Sequence, residues 1–151
     1  MQLSLYTGLA GLPHFNPDLD GERPPTSVAD LRALLRAADA LVVSSPEYAA
    51  GIPGSFKNAL DWVVGSGELY NMPVGLINAT PGYGGGSHAQ AALALTLRTQ
   101  GALIADETTL SIAAVRQKLD NAGNVTDEAT DAAIRALLTE LARKTRMSAR
   151  L

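Results

Sequence analysis

The run Ala40-Leu41-Val42-Val43-Ser44-Ser45-Pro46-Glu47-Tyr48-Ala49-Ala50-Gly51-Ile52-Pro53-Gly54-Ser55-Phe56-Lys57-Asn58-Ala59-Leu60-Asp61-Trp62 decides the fold of this chain. Residues 40–43 are continuously apolar, the pattern of a strand buried on both faces. Pro46, Gly51, Pro53 and Gly54 then punctuate a loop. Phe56, Leu60 and Val63 follow at spacings of four and three, which is the face of a helix. In an open parallel sheet, a loop between such a strand and such a helix leaves the carboxyl end of the strand, where ligands bind.

Outward from this stretch the same grammar repeats. Val28, Leu31, Leu34, Leu35 and Ala38 predict an amphipathic helix, with Ser27 as its N-cap and Asp30 three residues on. Residues 73–79 predict a second buried strand, and the glycines at 82, 84, 85 and 86 predict a loop. A helix over 87–100 follows, with Ala91, Leu93, Ala94, Leu95 and Leu97 as its apolar surface and Gly101 ending it. Residues 102–104 and 108–112 read as one interrupted strand, and Thr126 as the cap of a last helix. Toward the front, residues 2–6 alternate polar and apolar and predict an edge strand. Alternating strands and helices with continuously apolar central strands argue for an α/β protein with a parallel sheet covered on both faces.

Composition narrows the function. A chain of 151 residues reads as one domain, with 46% hydrophobic and 18% charged residues. The net charge of −3 and the absence of a basic stripe argue against nucleic acid as a partner. With no cysteine there is no disulfide, thiolate metal site or cysteine nucleophile. Neither a signal peptide nor an apolar run of about 20 residues is present, so the expectation is a soluble cytoplasmic protein.

Pro46-Glu47-Tyr48, then Ile52-Pro53-Gly54, then Lys57-Asn58-Ala59-Leu60-Asp61-Trp62 resembles the signature of the flavodoxin-like NAD(P)H-dependent FMN reductases. The likeness extends upstream to Leu12-Pro13 and Phe15-Asn16-Pro17-Asp18, and downstream to the glycine-rich segment from Thr80 to His88. It implies a flavodoxin-like three-layer sandwich, FMN as cofactor, NAD(P)H as reductant and a quinone, azo compound, metal oxyanion or flavin as small-molecule acceptor. A homodimer or homotetramer is also implied, with Lys57, Asn58, Asp61 and Trp62 near the subunit contact; core packing is the competing reading of Trp62.

The flavin carries the hydride chemistry itself, so no catalytic side chain is required and the protein's task is binding and orientation. The resemblance places the flavin ring between two loops. Pro46, Glu47, Tyr48, Ala49, Gly51 and Ile52 form the first, with backbone groups of Glu47, Tyr48 and Ala49 facing the ring. Thr80, Pro81, Gly82, Tyr83 and Gly84 line its other edge. Tyr48 has two readings, a ring partner or a packed side chain with a bonded hydroxyl. His14 and His88, far apart and without cysteine, make no metal site.

Two features depart from the family pattern. The first strand-loop-helix unit, whose loop wraps the FMN phosphate, is expected to be missing, so that residues 2–6 must pair with 40–43, pair in another subunit, or stay loose. Ala49 stands where asparagine is common. The alternatives to an active reductase are a non-catalytic interaction or regulatory subunit and a truncated reductase fragment.

Overall fold

Three parallel strands, β1 (Leu41–Ser44), β2 (Val74–Ala79) and β3 (Thr109–Ile112), lie in that spatial order in the computed structural model, which describes residues 2–83 and 86–148. Val43 stands opposite Leu76, and Leu76 opposite Thr109. Four helices alternate with them: α1 (Thr26–Arg36), α2 (Gly54–Asp61), α3 (Ser87–Thr99) and α4 (Glu128–Ser148). This is the α/β arrangement with a parallel sheet that the alternation predicted.

The strand period of two separates the faces. Val43, Val74 and Leu76 join one core with Val28 and Leu31 of α1, Ala59 and Leu60 of α2, and Leu93 and Leu97 of α3. Each such side chain, fully buried, contributes roughly 1.5–3 kcal/mol. Gly75 looks the other way, toward α4, where a Cβ would stand 3.0 Å from a methyl of Leu137. A side chain here would press on α4.

Trp62 is the keystone of the larger core and is 0% exposed. Its Nε1 donates to the Pro13 carbonyl at 2.8 Å, and the Phe15 ring meets it edge-on at 5.0 Å. Asn58 completes the clasp, donating from Nδ2 to the same Pro13 carbonyl at 2.9 Å and accepting from the Phe15 amide at 2.8 Å. Arg32, also buried, binds the Trp62 carbonyl and the Asp20 carboxylate. The proline-rich segment after residue 12 is thereby fastened over α2. Of the four residues expected near a subunit contact, Trp62 is buried, Asn58 and Asp61 are half-buried and Lys57 is exposed, its ammonium paired with Asp61 at 2.5 Å.

The structure corrects several sequence expectations. Residues 2–6 form no strand, and Leu3 and Leu5 are 76% and 86% exposed; their alternation finds no sheet face to bury. β1 is not buried on both faces, because it borders the sheet and α4 packs chiefly on β2 and β3. α1 starts at Thr26 with Pro25 as its N-cap: the Pro25 carbonyl accepts from Val28 and Ala29, no side chain caps the helix, and Leu34 lies off the buried stripe while Arg32 lies on it. Asp127, not Thr126, caps α4, its carboxylate accepting from the amide and hydroxyl of Thr130 at 2.9 and 2.5 Å. On α3 the buried stripe is Ala89, Leu93 and Leu97, with Ala91 and Leu95 outside. The interrupted strand is confirmed: Leu103 makes a lone parallel bridge to Pro73, then a turn at Asp106–Thr108 precedes β3.

Candidate functional site

β1 and β2 are adjacent and parallel, so the loops that leave their carboxyl ends emerge on the same rim of the sheet. The loop after β1 carries Pro46, Glu47, Tyr48, Ala49, Gly51 and Ile52. The loop after β2 carries Thr80, Pro81, Gly82 and Tyr83; Gly84 lies outside the described residues.

Among the described residues, one side-chain hydrogen bond ties the first loop to the helix that follows the second. Glu47 Oε2 accepts from the backbone amide of Ala89 at 2.9 Å, at the first turn of α3. The N-cap of α3 is Gly86, which has no side chain to offer. Nor can it have one, since its φ is +78° and a Cβ would lie 2.0 Å from Nδ2 of Asn78, a side chain only 4% exposed. The unpaired amides of a helix start attract a negative group, and Glu47 supplies it from the neighbouring loop.

Beyond Glu47 the chain folds back on itself. Tyr48 and Gly51 exchange both backbone hydrogen bonds, at 3.1 and 2.9 Å, and the two residues between them, Ala49 and Ala50, have φ of +49° and +58°. Positive φ at both central positions is the type I′ turn, whose usual residues are asparagine and glycine. Alanine there costs roughly 1–2 kcal/mol per residue, and strained backbone of this sort gathers at ligand sites. Ala49 and Ala50 are both exposed, and among the described residues neither amide has a protein acceptor.

The second loop is held from behind by the segment after β3. The Thr80 amide donates to Ile112, Val115 donates to Thr80, and Ala114 donates to Gly82, at 2.9, 3.0 and 2.8 Å. Tyr83 reaches Gln117, whose Nε2 donates to the phenolic oxygen at 3.3 Å. Sequence reasoning missed Asn78, Ala89, Ala114 and the side-chain role of Glu47. Of these only Asn78 left a signal, as the one amide in an otherwise apolar strand.

Tyr48 is 66% exposed and Tyr83 82% exposed, so packing accounts for neither ring. Ile52 packs on the core as the inner end of its loop. His88 is exposed on α3 and His14 exposed on the front segment, and among the described residues no cluster of His, Cys, Asp or Glu could hold a metal. Two concavities, of about 250 and 520 Å³, lie at the opposite rim, lined by residues that precede the strands, such as Asp39, Pro73 and Leu103. They are separate from the two loops.

The sequence pattern of the NADPH-dependent FMN reductases matches residues 3–117, which takes in both loops and all three strands. The chain belongs to this family. The NADPH:quinone oxidoreductase of Arabidopsis thaliana is 32% identical over 145 residues, which is 90% of this chain and 71% of that protein. The quinone reductase of Escherichia coli K12 is 28% identical over 134 residues, or 86% and 71%. Among solved structures, the flavoenzyme NAD(P)H:(acceptor) oxidoreductase FerB of Paracoccus denitrificans superposes with a TM-score of 0.72 at 29% identity, covering 91% of this chain and 75% of that one. As an FMN reductase family member the chain is an NAD(P)H-dependent flavoprotein oxidoreductase with a flavodoxin-like fold, and a non-catalytic role is not favoured. No helix among the described residues is long and apolar enough to cross a membrane.

The residues at the rim fit the flat part of FMN: amides without a protein acceptor in a fixed turn, and a second loop on the same rim. Neither loop carries a cationic side chain, and the α3 start is already taken by Glu47. These loops therefore suit the ring and not the phosphate.

Proposed function

We propose that this chain is an FMN-dependent oxidoreductase that takes reducing equivalents from NAD(P)H and delivers them to a quinone or a related small acceptor. The observation that supports it is the Glu47 to Ala89 hydrogen bond, which ties the first of the two loops that the family signature singles out to the helix that follows the second. FMN supplies the hydride chemistry when bound. The chain's part is to hold and orient. Pro46 and Ile52 fix the ends of the first loop, and the Tyr48 to Gly51 turn aims its amides at one edge of the ring. Thr80, Pro81, Gly82 and Tyr83 line the other edge, and the exposed rings of Tyr48 and Tyr83 flank the approach of the acceptor. We place the protein in the cytoplasm as a homodimer or homotetramer, with the α2 segment that carries Lys57, Asn58, Asp61 and Trp62 near the subunit contact; light scattering decides the oligomer size.

The test is titration of the purified protein with FMN, followed by anaerobic addition of NADPH or NADH and then of a benzoquinone. Saturable FMN uptake, bleaching of the visible flavin band by the nicotinamide and its return on adding quinone are expected. Failure to take up FMN at high micromolar concentration would refute the reading.

A further inference from the structure

We propose that Glu47 is a positioning residue: its side chain holds the two loops of the site in register by capping α3 from outside that helix. The inference rests on the FMN reading of the site and goes beyond it, because the family signature draws attention to the backbone of this loop and not to the carboxylate.

Helix α3 begins with unpaired amides, and a side chain at the N-cap ordinarily meets one of them. Here the N-cap position is closed to any side chain by Asn78. The duty passes to Glu47, whose carboxylate meets the amide of Ala89, a buried residue 42 positions later in the chain. A negative charge at a helix start adds to the hydrogen bond by opposing the positive end of the helix dipole.

The contact fixes two things at once. On one side it anchors the loop immediately before the Tyr48 to Gly51 turn, so the Ala49 and Ala50 amides inherit their position from it. On the other it holds the first turn of α3, and with it the exit of the glycine loop, whose entry is held by Ile112 and Ala114. Below this contact the two loops spring from the paired strands β1 and β2.

It also settles what α3 does not do. A glycine-rich loop leading into a helix start is the usual cradle for a phosphate. The protein's own carboxylate fills this one, so an incoming phosphate would have to displace a like charge. The phosphates of FMN and of the nicotinamide cofactor are accordingly expected elsewhere.

The test compares Glu47→Ala with Glu47→Gln. Glutamine keeps an oxygen to accept from Ala89 and gives up the charge; alanine gives up both. Amide hydrogen exchange is measured on the protein without FMN, and FMN dissociation constants are measured separately. Exchange at Ala89 and Gln90 is expected to quicken by about 5- to 30-fold in Glu47→Ala, the factor that loss of one cap represents. In Glu47→Gln it should quicken by less than about threefold, as an amide oxygen still caps. FMN affinity should follow the same order, and recovery in Glu47→Gln is what a residue important only for global folding would not give. Equal exchange in wild type and Glu47→Ala would overturn the inference. If the wild type takes up no FMN, the functional reading fails, while the exchange comparison still tests the Glu47 cap.

Discussion

Gly86→Ala is the sharpest perturbation that the structure offers. A left-handed backbone costs a non-glycine residue roughly 1–2 kcal/mol. The new methyl would also sit 2.0, 2.3 and 2.5 Å from Nδ2, Oδ1 and Cγ of Asn78, far inside contact distance. Asn78 is short and buried and cannot swing clear, so the neighbourhood must yield, and overpacking of this kind costs roughly 1–3 kcal/mol. Together the loss is about 2–5 kcal/mol, a large share of the 5–15 kcal/mol that a domain typically has. Urea unfolding followed by far-ultraviolet circular dichroism measures it: with a slope of about 2 kcal/mol per molar, a loss of about 3 kcal/mol lowers the midpoint by about 1.5 M. A shift below about 0.3 M would refute the reasoning. The two contributions separate in an Asn78→Ala background, where all three crowding atoms are gone and Gly86→Ala should cost only the backbone share, roughly 1–2 kcal/mol. If the full penalty persists there, crowding is not its cause.

Three further outcomes are expected. Ala50→Gly, at φ +58°, should stabilise by about 0.5–1 kcal/mol, the relief of left-handed strain less the entropy that glycine adds to the unfolded chain; a lower melting temperature would count against the type I′ turn. Asn58→Ala removes two hydrogen bonds that bind the front segment and should cost about 1–3 kcal/mol in equilibrium unfolding, whereas a neutral result would mean that this segment is not docked. The Thr130 hydroxyl, followed by its amide, holds the Asp127 carboxyl below its usual range. A depressed carboxyl stabilises above its unfolded value and loses that contribution as pH falls through the folded one, so the melting-temperature advantage over Asp127→Asn should shrink below about pH 4; an unchanged gap from about pH 6 to about pH 3 would contradict this.

What the sequence made legible was the part governed by local rules. The apolar run before Pro46, the spacing of Phe56, Leu60 and Val63, and Gly101 as a stop, with φ +82°, placed β1, α2 and the end of α3. The shared rim of the two loops followed from parallel strands. The rest depended on contacts between distant residues. Nothing near Asn58 or Trp62 reveals that both reach Pro13, 45 and 49 positions earlier. The alternation of residues 2–6 has the period of a strand, but a strand also needs a ladder partner, which periodicity cannot supply. The choice of Asp127 over Thr126 as the cap of α4 turned on one residue of register. Glu47 looked like a backbone contributor because its side-chain partner, Ala89, carries no polar side chain.

The clasp at Trp62 has a practical consequence. It is the only indole in the chain, sealed from solvent and hydrogen-bonded to the leading segment that Asn58 also grips. Its fluorescence spectrum therefore reports locally on that segment: a red shift without loss of helical signal would mean that the clasp had opened while the sheet stayed intact.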